Sequence, residues 1–429
     1  MSNFQIVIIT ICIIFAVGAI AIFSGFIPIG GSSKTAEPVV LTMWGTIPRA
    51  IMEPALTNFS ITNPEFKFNY SEKKVDTYKL DLTEALANGA GPDLIMVDNE
   101  NIYPFFSRII AIPFESFSDA TYRQSFVTES DIFLRRNGIL AFPLVVDPIV
   151  MYYNKSLLDS AGISNPMTKW SDVVLSSPKL TKKDNAFNIS QGAIALGTFS
   201  NIRHAKDILS LLFIQNGVPV FAPGGNFVAT VFSKSNIAGA AENTLKFFLD
   251  FSNPALEHSS WSRSMPDSRE AFLSEKLALY LGYASELQGI RTSNPNLNFD
   301  VAKVPQQEGA YIETTFGHIY AVALAKSSKN PTVAIQAILA LTNTANEMAL
   351  AQSLNLPPAR RDLLGAVPAS PFYLKTFYQS ALISRAFVDP NPSSTESIFQ
   401  NLVENILSGG VNINQAVSEA DRVLRESIK

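Results

Sequence analysis

A single carboxylate interrupts an apolar stretch in the middle of the chain. Residues 143–163 read PLVVDPIVMYYNKSLLDSAGI, so Asp147 and Pro148 stand between two apolar runs. Proline has no N–H for a sheet ladder and disfavours helical geometry in the residue before it, so the sequence predicts that the strand bends or crosses over here. A carboxylate at such a break can face a cleft. The alternative is a turn acid that accepts hydrogen bonds from backbone amides.

A second group of candidate residues follows two predicted strands near the start of the soluble part. Trp44 ends the apolar run VVLTMW, and Glu100 follows the run Asp93–Val97. Ligands of parallel sheets gather beyond the carboxyl ends of the strands, so these residues are expected at one rim. Asp98, Asn99 and Asn101 are open alternatives to Glu100 at this rim. Core packing is the alternative for Trp44, as it is for most large rings.

The elements that must position these residues alternate between strand and helix. Strands and helices are expected as follows: strands 39–44, 66–70, 93–97, 143–153, 191–197, 277–283, 299–304 and 319–324, and helices 77–88, 202–215, 240–251, 267–276, 331–341, 393–407 and 412–426. Asp76, Asn154 and Ser171 are expected helix caps, and Asn137-Gly138 a hairpin turn. This alternation is typical of α/β domains, and 429 residues favour two of them.

Composition and motifs exclude several classes of function. The net charge is −4 and the basic residues are scattered, so no nucleic-acid partner is expected. Walker, G-x-G-x-x-G, G-x-S-x-G and H-E-x-x-H motifs are missing, and we expect no enzyme activity, catalytic residue or cofactor. His204, His258 and His318 are far apart in sequence, which predicts structural or exposed roles and no metal site.

The N-terminus differs in character from the rest of the chain. Residues 1–33 contain no Asp, Glu, Lys or Arg, and Phe4–Ile27 is mostly apolar. As a helix these 24 residues would span about 36 Å, enough to cross a hydrocarbon core of about 30 Å. We expect a single-pass anchor in the cytoplasmic membrane, followed by a tether that ends at residue 38, with the soluble part outside. A cleaved signal peptide ending near Ala19-Ile20-Ala21 is the alternative. Cys12, the only cysteine, lies in this segment.

Several motifs in this order resemble the carbohydrate-binding group of bacterial extracellular solute-binding proteins of ABC importers, which includes maltose-binding protein. The motifs are Leu41-Thr42-Met43-Trp44-Gly45, Asn88-Gly89-Ala90-Gly91-Pro92-Asp93-Leu94, Pro143 with Asp147, Met151-Tyr152-Tyr153-Asn154-Lys155, Trp170-Ser171-Asp172, Trp261, Phe272 with Lys276, and Leu356-Pro357 with Arg360. The resemblance covers nearly all of the soluble part. One departure is Glu275, where the family often has glycine before the lysine.

The resemblance implies a two-lobed fold of the type II periplasmic-binding-protein-like class, with three interlobe crossings. The chain breaks near Asp147, Pro305 and Leu356 fit these crossings. We therefore expect residues 39–146 plus 305–350 in lobe 1 and residues 147–304 plus 351–429 in lobe 2. Residues 1–33 would form the anchor and the start of the tether, and 34–38 the rest of it.

The resemblance also implies ligand-binding roles for particular residues. Glu100 and Asp147 would accept hydrogen bonds from sugar hydroxyls, and Trp44 and Tyr283 would cover apolar C–H faces. Core packing is the alternative for Tyr283, as it is for Trp44. Trp261 is a further candidate platform, or a residue of the lobe surface. The expected protein is a monomer that captures a carbohydrate and delivers it to ABC permease subunits. Two alternatives remain: a surface glycosidase, in which Glu100 and Asp147 face each other across a sugar, and a sugar sensor or adhesion module without a permease.

Overall fold

The computed structural model describes residues 37–186, 188–218, 220–224, 227–230, 239–367 and 370–428. The strands are β1 Val39–Gly45, β2 Phe66–Glu72, β3 Leu94–Val97, β4 Leu134–Arg135, β5 Gly138–Ile139, β6 Phe142–Asn154, β7 Lys182–Lys183, β8 Ile189–Ile194, β9 Phe221–Gly224, β10 Phe227–Thr230, β11 Leu277–Tyr283, β12 Phe299–Ala302, β13 Thr315–Leu324 and β14 Ser384–Arg385. The helices are α1 Arg49–Thr62, α2 Val75–Ala87, α3 Asp119–Ser125, α4 Lys155–Ser160, α5 Trp170–Leu180, α6 Ala205–Gln215, α7 Ala240–Asp250, α8 Ser268–Leu273, α9 Leu287–Ser293, α10 Pro331–Leu341, α11 Thr344–Leu354, α12 Arg361–Gly365, α13 Phe372–Ile383, α14 Pro392–Leu407 and α15 Ile413–Ser427.

Two α/β domains share one continuous sheet. Its strand order is β2-β1-β3-β13-β6-β11-β8-β7, with β12 also pairing with β6 and β14 with β13. The first domain contains β1 with its parallel neighbours β2 and β3. The second domain contains β8 and its parallel neighbour β11. The antiparallel strands β6 and β13 join the two groups, and helices cross over between the parallel strands, as such strands require.

The central strand β6 runs unbroken through Pro148, so the strand break predicted at Asp147-Pro148 is wrong, while the crossing between lobes at this point stays a prediction. Its neighbours change there instead: β13 pairs with Phe142–Pro148, whereas β11 pairs with Ile149–Tyr153 on the other edge. On that other edge, residues 357–359 bond to the first half of β6. A proline is tolerated where the partners change because the ladder needs no donor at that point.

Two predicted helix caps differ from the structure, and one is confirmed. Helix α2 begins at Val75, which places Asp76 in the first turn, where the helix dipole favours a carboxylate. Helix α5 begins at Trp170, and the Ser171 hydroxyl donates to Glu308 instead of capping the helix. Asn154 does cap α4, because its side chain accepts from the Leu157 amide.

Glu275 occupies the turn where the resembling family often has glycine. Its φ of 58° lies in the left-handed region, which a residue with a Cβ seldom adopts. The turn is held by hydrogen bonds from the Glu275 amide to Phe272 and from the Lys276 amide to Ala271. The local fold therefore survives the substitution, with the strain borne by one residue.

The predicted membrane anchor lies outside the described residues. Within the described ranges, no helix combines the length and apolar character needed to span a bilayer.

Candidate functional site

A cavity of about 400 Å³ opens between the two domains. In the first domain, the walls of the cavity come from the end of β1, from α2 and from the turn after β3. In the second domain, they come from the segment before α14. Its lining residues are Thr46, Val75, Asp76, Tyr78, Lys79, Asp98, Glu100, Asn101, Pro104, His318, Tyr320, Pro390, Asn391, Pro392 and Ser393. Glu100 therefore faces an interdomain cavity, as its place in the sequence predicts.

The turn that carries Glu100 is fixed by Asp98. The Asp98 carboxylate accepts from the backbone amides of Glu100 and Asn101, at 2.8 and 2.9 Å, and from the Asn101 side chain at 2.7 Å. An aspartate that bonds to the amides two and three residues on closes a tight turn without secondary structure. This turn projects Glu100 from the carboxyl end of β3 into the cavity.

Glu100 is ion-paired with Lys206, which lies in the first turn of α6. The Lys206 side chain is 7% exposed, and its ammonium is also 3.6 Å from Asp207 and 3.7 Å from Asp389. Burial alone would raise the pKa of Glu100, but the positive charges of His318 and Lys206 hold that pKa below its ordinary value. Glu100 is therefore an ionised acceptor at neutral pH.

The Tyr283 ring packs against the rings of two histidines, and Tyr283 does not line the 400 Å³ cavity. Its ring centroid lies 4.8 Å from that of His204 and 4.7 Å from that of His318, and the residue is 4% exposed. The Tyr283 amide donates to Glu286 Oε1, which also lies 2.9 Å from His204 Nε2. The predicted platform thus acts here as a packing residue that supports His318 at the cavity wall.

Asp147 lies in a second cavity of about 270 Å³. It is lined by Ile47, Pro48, Ile51, Asp147, Ala284, Ser285, Leu287, Gln288, Tyr320, Leu354, Asn355, Leu356, Tyr373 and Phe377. The Asp147 carboxylate is 3% exposed and accepts from the Ser285 amide at 2.9 Å. Burial raises the pKa of Asp147 to about 6, although hydrogen bonds from Ser285 and the charge of His318 oppose this shift.

Tyr320 separates the two cavities, because it lines both. It stands two residues from His318 on β13, so the two side chains share a face of the sheet. Burial, together with the nearby carboxylates of Asp147, Asp98 and Glu100, raises the pKa of Tyr320 well above 10, which keeps its hydroxyl protonated. Glu100 and Asp147 consequently face different compartments on either side of one aromatic ring.

The two predicted tryptophans do not line these cavities. Trp44 is half-buried, and the Lys73 ammonium lies 3.7 Å from its ring centroid. Trp261 is completely buried, and its indole N–H donates to Asn201 at 3.2 Å. The structure therefore places Glu100 and Asp147 in two neighbouring cavities, with Tyr283 packed behind His318, and leaves Trp44 and Trp261 outside both cavities.

Sequence reasoning missed His318, Tyr320 and Lys206. The histidines were expected to be unrelated, yet His204 and His318 flank the same tyrosine. One signal was available: in the strand TFGHIYAVAL, His318 and Tyr320 are the only side chains with polar atoms that alternate on one face after Gly317. Lys206 gave no such signal, because two of its three partners, Glu100 and Asp389, lie more than 100 residues away in the sequence.

The arrangement can bind a neutral ligand that carries hydroxyls. Ionised Glu100 accepts from a hydroxyl, Tyr320 offers a protonated hydroxyl and a ring face, and Asn101 adds an amide. Among the described residues, no group of three or more His, Cys, Asp or Glu side chains could hold a metal ion. Glu100 and Asp147 do not share a cavity, unlike the facing pair of carboxylates that a glycosidase uses.

Comparison with known sequences identifies a family. The profile described as "Bacterial extracellular solute-binding protein" matches residues 44–348. A protein of Brucella abortus strain 2308 that is named as a binding protein is 25% identical over 126 residues, which are 28% of this chain and 30% of that protein. A protein of Brucella suis biovar 1 matches to the same extent. The match thus spans less than a third of these curated relatives.

Comparison with solved structures shows the fold over nearly the whole chain. The cyclic α-maltosyl-1,6-maltose binding protein from Arthrobacter globiformis superposes with a TM-score of 0.75 at 14% identity, covering 91% of this chain and 99% of that one. A sugar-binding protein from Xanthomonas citri gives 0.74 at 16% identity, covering 91% and 97%. A cyclo/maltodextrin-binding protein complexed with maltotetraose gives 0.73 at 16%, covering 92% and 99%. At these identities the likeness concerns the two-domain α/β periplasmic-binding-protein-like fold, which confirms the predicted fold class at that level.

Proposed function

Because the chain belongs to the bacterial extracellular solute-binding proteins, we propose that it binds a carbohydrate between its two domains and delivers it to the permease of an ABC transporter. The proteins of this family and the structural neighbours are binding proteins and not enzymes, in agreement with the predicted lack of catalysis. The proposed protein works as a monomer outside the cytoplasmic membrane, held there by its N-terminal segment.

The observation that carries the proposal is the 400 Å³ cavity with an ionised acceptor and an aromatic wall. Ligand sites of small molecules have volumes of about 300–1,000 Å³ and combine apolar walls with a few placed polar groups. Glu100 and Asn101 supply the polar groups, and Tyr320 supplies ring surface. The neighbours named for maltotetraose and for cyclic maltosyl-maltose bind carbohydrates in the same fold, which supports the same class of ligand here.

The domain assignment follows from the same proposal. Residues 39–146 with 305–350 form one lobe, and 147–304 with 351–429 the other, with the chain crossing between them near Asp147, Pro305 and Leu356. The change of partners along β6 at Pro148 supports the first of these crossings. Closure of the lobes would then remove Glu100 and its ligand from water.

A panel of mono- and oligosaccharides tests the function by thermal shift on the purified full chain. A true ligand at one hundred times its dissociation constant stabilises the folded protein by about 2.7 kcal/mol, so its melting temperature rises. Glu100→Gln preserves shape but removes the charge that strengthens the hydrogen bond, and should weaken binding by about tenfold or more in calorimetry. Glu115→Gln, an exposed acid that lines neither cavity, is the matched control. A broad panel without any shift would refute the carbohydrate assignment.

A further inference from the structure

Lys206 is a buried cation that three segments of the chain surround with carboxylates. Glu100 follows β3 of the first domain, Asp207 is the next residue of α6, and Asp389 precedes α14. Lys206 is buried, and the Ser210 hydroxyl, one helical turn later, donates to the Lys206 carbonyl. Of the three carboxylates, Glu100 alone belongs to the first domain and lines the 400 Å³ cavity.

The position of this ammonium requires ionised partners. A buried ammonium loses its hydration, which by itself would lower the pKa of Lys206, but Asp207, Glu100 and Asp389 reverse this and raise its pKa. Asp389 is held in the second domain, where its carboxylate accepts from Thr395 and from the Asn391 amide. Of the three carboxylates around the ammonium, that of Glu100 is the one supplied by the first domain. A backbone hydrogen bond beside it also crosses the cleft, because the Asp389 amide donates to the Asn99 carbonyl at 2.9 Å.

We infer that Lys206 is a positioning residue for the ligand site. Its ammonium forms an ion pair with Glu100 that connects the first domain to α6 of the second, and this interdomain ion pair is named the tie. The tie holds Glu100 in one orientation, since Oε1 meets the ammonium while the residue still lines the cavity. It also favours approach of the two domains before any ligand is bound, because separating them would leave a buried charge without its partner. The effect on ligand affinity rests on the proposed function, whereas the tie itself does not.

Fluorescence energy transfer between the domains tests the tie without a ligand. Cys12 is the only cysteine of the chain, so Cys12→Ser leaves none, and labels can be placed at Glu84→Cys on α2 and Ser418→Cys on α15, two exposed positions. Lys206→Met should lower the transfer efficiency of the ligand-free chain, because the domains separate. Lys206→Arg, which retains a cation, should restore it at least in part. Wild-type efficiency in Lys206→Met would overturn the inference.

The matched control removes a neighbour of Lys206 within its own domain. Asp389→Asn keeps an oxygen that can accept from Thr395 and leaves the contact across the cleft intact, so its transfer efficiency should equal that of the wild type. If Asp389→Asn separated the domains as much as Lys206→Met does, the cluster would matter only for general stability, and the inference would fail. Should Lys206→Met not fold, Glu100→Gln breaks the same contact from the other side.

Measurements of carbohydrate affinity distinguish a failure of the Lys206 inference from a failure of the proposed function. With a carbohydrate identified by thermal shift, Lys206→Met should weaken binding about tenfold or more, and Lys206→Arg should recover part of the loss. Unchanged affinity in Lys206→Met would show that Lys206 does not position Glu100. If no carbohydrate binds the wild type, the proposed function fails, while the transfer measurement still decides whether the tie exists.

Discussion

Replacing Asp147 with asparagine should stabilise the protein at neutral pH. Asparagine has the same shape, and its side-chain oxygen can still accept from the Ser285 amide that now bonds to Asp147 at 2.9 Å. The substitution therefore removes the charge and leaves the geometry.

The magnitude follows from the pKa of Asp147, which burial raises from 3.8 to about 6. Below pH 4 the carboxyl is protonated in both the folded and the unfolded state, and its protonation does not affect stability. Between pH 4 and 6 the unfolded chain releases its proton while the folded protein retains it, so stability falls as pH rises. The loss reaches about 3 kcal/mol above pH 6, at about 1.4 kcal/mol for each pKa unit.

Denaturant unfolding of the wild type and Asp147→Asn at pH 4, 5, 6 and 7.5 measures this difference. The free energies of unfolding should be similar at pH 4, and the variant should become more stable by up to about 3 kcal/mol at pH 7.5. Asp172→Asn removes an exposed carboxylate outside both cavities and reports the general effect of losing one negative charge. A difference that did not grow with pH, or a variant less stable than the wild type at pH 7.5, would show that burial does not govern this carboxyl.

Two further substitutions test local packing and capping. Gly317→Ala would place a Cβ against the Ser384 hydroxyl and 3.1 Å from the Asp147 carbonyl oxygen. The added methyl group should lower the free energy of unfolding by about 1–3 kcal/mol in denaturant unfolding. Adding Ser384→Ala to this variant should recover much of the lost stability, and no recovery would show that the Ser384 hydroxyl is not the clashing group. Asn154→Ala removes the acceptor of the Leu157 amide at the start of α4 and should cost about 1 kcal/mol in the same assay, whereas Asn154→Asp, which retains the acceptor, should cost less.

Much of the fold could be predicted from the sequence because its local signals agree with one another. Apolar runs bounded by turn residues predicted β1, β3 and β11, and the Asn137-Gly138 pair predicted the hairpin of β4 and β5. The error at Pro148 has a physical reason. Local rules treat proline as a ladder breaker, but they do not include a strand whose neighbours are exchanged at that residue.

The site was harder to predict, because its residues meet only in three dimensions. Asp147 and Glu100 could be placed in cavities from a strand anomaly and a turn after a strand. The roles of the aromatic residues could not be predicted, since a ring buried in the core and a ring that contacts a ligand can occur in the same kind of local sequence. Trp261 is completely buried, and the partner that its indole N–H then needs is Asn201, sixty residues away. No local pattern records such a partner.

The exchange of neighbours along β6 also constrains the order in which the protein can fold. The Thr315 hydroxyl donates to the Ile149 carbonyl across 166 residues, and the Tyr152 hydroxyl donates to the Tyr283 carbonyl across 131. During synthesis, β6 therefore emerges long before either of its main partner strands. Contacts of such large sequence separation slow folding, because the intervening chain must be ordered before they form. The first domain cannot complete its sheet until β13 is available, so the edges of β3 and β6 that pair with β13 stay unpaired until about three quarters of the chain has been made.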